Sequence, residues 1–547
     1  MMIPDSDQTA QIHRLFRDRI QDDAPGAVLA VLSGGECVLE QAYGRADLAQ
    51  NVPLDGASVL RVGSQSKQFA VYLALQLARA GKLSLDDAVG AHLPWVPDAW
   101  RHVRLRSLAA NTSGVRDLLD LMVLGGVNAL GPVSRELERR VIAMSPGLAA
   151  EEGADLLYSN SNFLLLTDVV ETASGAPFEE LLAQYVTGPL GMADTRLLRR
   201  DDEWTPRLAS HYRRDGAGGF LRGTSLAALG GEGGLVSTRA DMVRWQKHLR
   251  ACHLAGDPII AEMERGGPLA NGTPSPYGLG LVRTVHGGVT GIGHGGSVVG
   301  ARSESVRFPE VDLGVVLIAN REDLPVFALV RQVLDILLRR PSAARLSEEA
   351  LVPLRTMSGL WREDGGGRVL ELAADAEGAM LTTSMGPAPL VLAEQVRAEQ
   401  VAADQARGET WVAPQMALPP LALLAQADEG LHVARWGRAA RFVPARPDAP
   451  FADPRGRYRA RDVALDAEVT GDAGDLRIAL ASPYGVCRAR LLACDGDLFR
   501  AVPDAGDLHG RWLASPWNSA WLFSLWVRPG GFVLNSDQSA NLMFERA

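Results

Sequence analysis

Ser64 and Lys67 stand three residues apart in Val62-Gly63-Ser64-Gln65-Ser66-Lys67-Gln68-Phe69. A hydroxyl next to an amine that can lose its proton is a nucleophile beside its base. The chain writes arginine for nearly all of its 55 basic residues and keeps lysine only at Lys67, Lys82 and Lys247. The choice matters at position 67, because arginine holds its proton in any protein whereas a desolvated lysine can release it. From Phe69 to Ala80 the run is almost wholly apolar and it stops at Gly81, which predicts a buried central helix with a glycine at its end. Ser64 falls at the first turn of that helix. The i, i+3 spacing then puts the amine within reach of the hydroxyl, and the helix N-terminus adds free N–H groups and positive potential.

Two further groups could complete such a site. Tyr158-Ser159-Asn160 precedes the apolar run Leu164-Leu-Leu-Thr-Asp-Val-Val170; a tyrosine can relay a proton, and an asparagine can orient an amine or a substrate carbonyl. His294-Gly295-Gly296-Ser297 follows Gly291-Ile292-Gly293, and such glycines let a substrate lie along a strand edge. Read singly, the first is a structural turn and the second a glycine-rich hairpin.

Other elements must hold these residues in place. Residues 27–43 read as a hairpin turning at Ser33-Gly34-Gly35, and residues from about 60 to 250 as mostly helical. Ser237-Thr238-Arg239-Ala240-Asp241 is a helix start, and 305–319 is a second hairpin turning at Pro309-Glu310. A helix over about 323–340 ends at Pro341. Beyond Pro341 short alternating runs replace helical ones. Gly359-Leu360-Trp361-Arg362 leads to the acidic turn Asp375-Ala-Glu-Gly378, and Gly456-Arg457-Tyr458-Arg459 leads to Asp472-Ala-Gly474, a weak duplication across a proline-rich linker. The expected class is α+β: a catalytic domain over 1–340, then two antiparallel β-barrel domains over 345–445 and 451–547.

At 547 residues the chain is too long for one core. Its apolar fraction of 47% and charged fraction of 22% are those of an ordinary soluble protein. A net charge of −10 with no basic block argues against nucleic acid as partner. Neither an export signal nor a spanning segment is legible, so a cytoplasmic protein with no membrane partner is expected. Cys37, Cys252, Cys487 and Cys494 have no zinc-ligand spacing and read as free thiols, although Cys487 and Cys494 could face each other across a hairpin.

Taken together and in order, Ser64-x-x-Lys67, Tyr158-x-Asn160 and His294-x-Gly296 resemble the penicillin-recognising serine hydrolases, the family of class C β-lactamases, D-Ala-D-Ala carboxypeptidases and related esterases. Asn111-Thr-Ser-Gly114, Pro189-Leu-Gly-Met192 and Tyr277-Gly-Leu-Gly280 add to the likeness, which spans about 10–340. The resemblance implies a β-lactamase-like fold, with an antiparallel sheet flanked by helices, and an acyl-enzyme on Ser64. Lys67 takes the proton directly or through Tyr158. Asn160 orients Lys67 and the substrate, the oxyanion sits between the N–H groups of Ser64 and Ser297, and His294 supplies polarity without a fixed charge. No metal or cofactor is implied.

The layout is most similar to that of the D-stereospecific aminopeptidase branch, in which a loop of the last barrel carries a carboxylate to the substrate's free amine. Here Asp504 and Asp507 are the acids of the matching segment, 503–520. One departure is Val282, where that branch has an asparagine. A small peptide or amide is the expected substrate and a homodimer a possible assembly. A β-lactamase-like esterase or D-Ala-D-Ala carboxypeptidase would use the same machinery, and a silent binding protein the same fold.

Overall fold

A computed structural model describes residues 1–128, 131–340, 346–376, 378–383, 386–392, 410–415, 418–425, 430–435, 438–472, 474–503, 523–536 and 539–547. Its centre is a six-stranded antiparallel sheet. The strands are β1 (Ala27–Ser33), β2 (Glu36–Tyr43), β3 (Val282–His286), β4 (Val289–Val298), β5 (Ala301–Phe308) and β6 (Leu313–Ala319), in the order β3-β4-β5-β6-β1-β2. The two predicted hairpins are therefore both present, and β1 and β6 bring the two ends of the catalytic region together. Side chains alternate across a strand. Ala27, Leu29 and Val31 accordingly face one core with Ile12 and Phe16 of helix α1 (Ser6–Arg17). Val28, Ala30 and Leu32 face the other, larger core.

That larger core holds helix α2 (Ser66–Arg79), preceded by a 3₁₀ turn over Gly63–Gln65. Every residue from Ser66 to Leu77 is buried, which explains why the run is apolar all round. Next to it lie α3 (Leu118–Leu124), α4 (Arg135–Ala143), α5 (Asn160–Ser174) and α6 (Arg239–Ala255). Thr238 caps α6 by accepting from Asp241 N, as its sequence predicts. The last helix of the region, α7 (Val326–Leu337), starts three residues later than expected, just after Pro325.

Two β structures follow. Nine antiparallel strands between Gly359 and Pro444 form a sheet whose two end strands, Gly386–Pro389 and Val391–Leu392, are consecutive in the chain, so the sheet curls until its ends meet. Eight strands between Gly456 and Arg546 form a closed barrel, the strand Gly456–Ala460 pairing with Leu542–Arg546. The duplicated sequence opens both. Gly359 and Gly456 have φ of 143° and 144°. Two residues on, Trp361 Nε1 donates to Met357 O at 2.9 Å and the Tyr458 hydroxyl to Pro454 O at 2.7 Å, each four residues back. Cys487 and Cys494 lie on one strand, Gly485–Asp495, not on two arms of a hairpin, and none of the four cysteines is in a disulfide.

The closed barrel rests on the catalytic region at the C-terminal ends of α3 and α4. Ser482 Oγ donates to Gly125 O at 2.6 Å, and Ala464 N to Met144 O at 2.8 Å. A Cβ on Gly126 would come within 2.2 Å of Val486 N, so glycine is what allows the two backbones to touch. Among the described residues no helix is long and apolar enough to cross a membrane.

Candidate active site

Lys67 projects from the first turn of α2 into a fully enclosed position. Its Nζ lies 3.1 Å from Ser64 Oγ, 2.8 Å from Asn160 Oδ1 and 2.6 Å from Glu232 O. The rings of Tyr158 and Phe163 flank it at 5.0 and 5.3 Å. Burial lowers the amine to about 7, while the charges of Glu232 and Asp117 act in the opposite direction. A neutral amine has two N–H bonds and one lone pair. The two carbonyl oxygens can only accept, so they take the N–H bonds and leave the lone pair for the Ser64 hydroxyl.

Asn160 is fixed in turn. Its side-chain Nδ2 donates to Asp117 Oδ1 at 2.9 Å and its main-chain N to the same oxygen at 2.5 Å, which orients its carbonyl oxygen toward Lys67. Asp117 also caps α3 by accepting from Leu119 N and Asp120 N. The Tyr158 turn is built by Asn111, whose Oδ1 accepts from Ser159 N at 3.1 Å and from Asn162 Nδ2 at 2.9 Å. Asn111 itself has a positive φ of 56°. The Asn111-Thr-Ser-Gly114 motif thus acts by fixing the Tyr158 turn through side-chain hydrogen bonds. Burial pushes the Tyr158 phenol well above the ordinary range, against a smaller lowering by the Ser64 side chain.

His294 sits on β4 with its ring centroid 6.3 Å from that of Tyr158. Its Nδ1 is 2.5 Å from Gly295 O, an atom that can only accept, so Nδ1 carries the proton. Nε2 then accepts from the Tyr277 hydroxyl at 2.9 Å. Burial first, then the charge of Lys67, lowers the imidazole to about 3. The same strand presses on the Ser64 turn. A Cβ on Gly296 would lie 1.9 Å from Val62 O, and one on Gly63 would lie 2.8 Å from Ser297 N. This backbone contact brings the main chain of Ser297 beside that of Ser64, the arrangement needed for two N–H groups to converge on one oxygen.

Ser64, Lys67, Tyr158, Asn160, His294, Gly296 and Ser297 therefore share one place, from three separate parts of the chain. Asp504 and Asp507 lie outside the described residues. Val282 opens β3 and pairs with Gly293, next to His294. Three participants escape sequence reasoning. Asp117 precedes an apolar stretch, a cap signal that could have found it. Tyr277 belongs to a recognised motif, but its bond to His294 is tertiary. Glu232 offers a main-chain carbonyl, which no side-chain pattern announces.

A central antiparallel sheet, a buried helix opening on Ser-x-x-Lys, and a Tyr/His wall define a serine hydrolase of the β-lactamase fold. The Beta-lactamase family pattern matches residues 12–338, and the chain belongs to that family. It is 27% identical over 453 residues to a D-aminopeptidase of Cereibacter sphaeroides, 82% of each chain. It is 28% identical over 359 residues to a D-aminopeptidase of Brucella anthropi, 65% of this chain and 67% of that one. Among solved structures, an octameric penicillin-binding protein homologue from Pyrococcus abyssi shares the fold over 80% of this chain (TM-score 0.54, 19% identity, 99% of that chain). The D-amino acid amidase of Ochrobactrum anthropi SV3 does so over 61% (TM-score 0.52, 24% identity, 99% of that chain).

Proposed function

We propose that the chain is an aminopeptidase that releases N-terminal D-amino acids from small peptides and amides through an acyl-enzyme on Ser64. The carrying observation is the desolvated Lys67 amine, with two carbonyl acceptors and its remaining valence toward Ser64 Oγ. Ser64 Oγ attacks the substrate carbonyl carbon and its proton passes to Lys67 Nζ. The carbonyl electrons move onto oxygen, between the N–H groups of Ser64 and Ser297. Collapse breaks the C–N bond, and the departing amine takes the proton from Lys67 by way of the Tyr158 hydroxyl. Water then attacks the ester, gives its proton back along the same path, and frees the acid and Ser64. With its phenol pushed up by burial, Tyr158 serves as a relay, and Lys67 as the base. Neutral His294 lines the substrate strand and adds no charge to repel Lys67.

Two observations favour an aminopeptidase over an esterase or carboxypeptidase. The D-aminopeptidase of Cereibacter sphaeroides aligns over more residues than the span 12–338 holds, so that likeness reaches beyond the catalytic region. The amidase structure, by contrast, is matched in full by 61% of this chain. The closed barrel also bears on α3, the helix capped by the Asp117 that holds Asn160. We assign the substrate's ammonium group to Asp504 or Asp507. Purified protein is to be assayed on D- and L-alanine p-nitroanilide, p-nitrophenyl acetate and nitrocefin. Faster turnover of the D-anilide than of the other three supports the reading; nitrocefin or the ester as the sole substrate overturns it. Ser64→Ala should cost several orders of magnitude in kcat.

A further inference from the structure

Glu232 is the one side chain in Gly230-Gly231-Glu232-Gly233-Gly234, a segment with high backbone freedom. Yet this segment must hold a carbonyl 2.6 Å from Lys67 Nζ. Its fasteners are visible. The Glu232 carboxylate, 3% exposed, accepts from Arg135 at 2.8 Å and from Gly230 N at 2.5 Å. Gly231 N donates to Thr167 Oγ1 of α5 at 3.2 Å. Arg135, at the start of α4, also donates to Leu164 O of α5 at 3.2 Å. Helix α5 begins at Asn160, so Arg135 joins the two segments that present carbonyl oxygens to Lys67.

We propose that Arg135 and Glu232 are a positioning pair for the catalytic amine: the Glu232 side chain, anchored by Arg135, aims its own main-chain carbonyl at Lys67 and so directs the lysine lone pair to Ser64. The inference rests on the acyl-enzyme reading above. The charges around the pair are balanced. Arg139 bonds Asp168 at 2.8 Å, Asp168 lies 3.6 Å from Arg135, and burial holds the nearby Glu138 carboxyl up at about 8. Without the anchor, a glycine-flanked carbonyl would wander by an ångström or more. Misplacement on that scale costs up to about a hundredfold in rate.

The test compares Glu232→Ala, which removes the anchor, with Glu232→Gln, which keeps an acceptor for Gly230 and Arg135. Arg135→Lys is a second variant; it keeps the charge but cannot span Glu232 and Leu164 O together. The readouts are the rate at which phenylmethylsulfonyl fluoride modifies Ser64, and kcat and KM on p-nitrophenyl acetate, with thermal unfolding as the check on folding. Glu232→Ala and Arg135→Lys should react roughly tenfold to a hundredfold more slowly, with kcat down by the same factor and KM within about twofold, while Glu232→Gln stays within severalfold of wild type. A folded Glu232→Ala that reacts at the wild-type rate overturns the pair, as does a Glu232→Gln as slow as the alanine variant. If Glu232→Ala does not fold, Arg135→Lys at the wild-type rate overturns it equally. A wild-type Ser64 that the reagent never modifies overturns instead the acyl-enzyme reading on which the pair depends.

Discussion

Asp117 receives both N–H groups of Asn160, main-chain and side-chain, on a single carboxylate oxygen. The asparagine is thereby locked with its carbonyl oxygen on Lys67, and the aspartate also caps α3, on which the closed barrel rests. One carboxylate therefore connects amine orientation to the docking of a distant part of the chain.

Asp117→Ala should lower both activity and stability. It removes a helix cap and strands two buried donors, a cost of about 1–3 kcal/mol. We expect kcat to fall roughly tenfold with KM little changed, because Asp117 is fully buried behind Asn160. Denaturant unfolding and steady-state kinetics check the two halves; an unchanged kcat would show that Asn160 orients itself.

The pH profile tests Lys67 as the proposed base. With its amine lowered to about 7 and needed in the neutral form, kcat/KM should rise as pH passes upward through about 7 and fall about tenfold per unit below. His294, lowered to about 3, stays neutral and adds no second limb above pH 5. Lys67→Arg should be as inactive as Lys67→Ala, since Arg retains charge but cannot act as a base. A flat profile down to pH 5, or an active arginine variant, would refute Lys67 as base.

Gly296→Ala tests the backbone contact between β4 and the nucleophile turn. The new methyl would sit 1.9 Å from Val62 O, and one of the two backbones must move. The expected loss in kcat/KM is about a hundredfold, with about 1–3 kcal/mol of stability. Wild-type turnover by this variant would mean that Ser297 N takes no part in the oxyanion site.

The proposed assignment of the substrate's amine to Asp504 or Asp507 is tested by neutralising each. Asp504→Asn and Asp507→Asn are to be compared on D-alanine amide and on an uncharged ester. The relevant one should raise KM at least about tenfold for the amide and leave the ester within about twofold. Two variants that hydrolyse the amide like wild type would place the amine elsewhere.

The sequence by itself determined what is local. Ser64 and Lys67 lie one helical turn apart, so their meeting follows from helix geometry alone. The alternation in 27–43 and 305–319, the caps at Thr238 and Gly81, and the repeated Gly-x-aromatic-Arg are likewise legible, because each depends on neighbours a few residues away. The ordered motifs sufficed to bring Tyr158, Asn160 and His294 into one expected site. Only the tertiary structure decided the rest. Asp117 reaches Asn160 across 43 positions and Glu232 O reaches Lys67 across 165, and such contacts depend on how helices pack, not on spacing. The tautomer of His294 depends on Gly295 O and Tyr277, which β4 and its neighbours bring together. The state of Lys67 was decided the same way: the sequence supplies an amine, but its pKa comes from the closed packing that keeps water away from it.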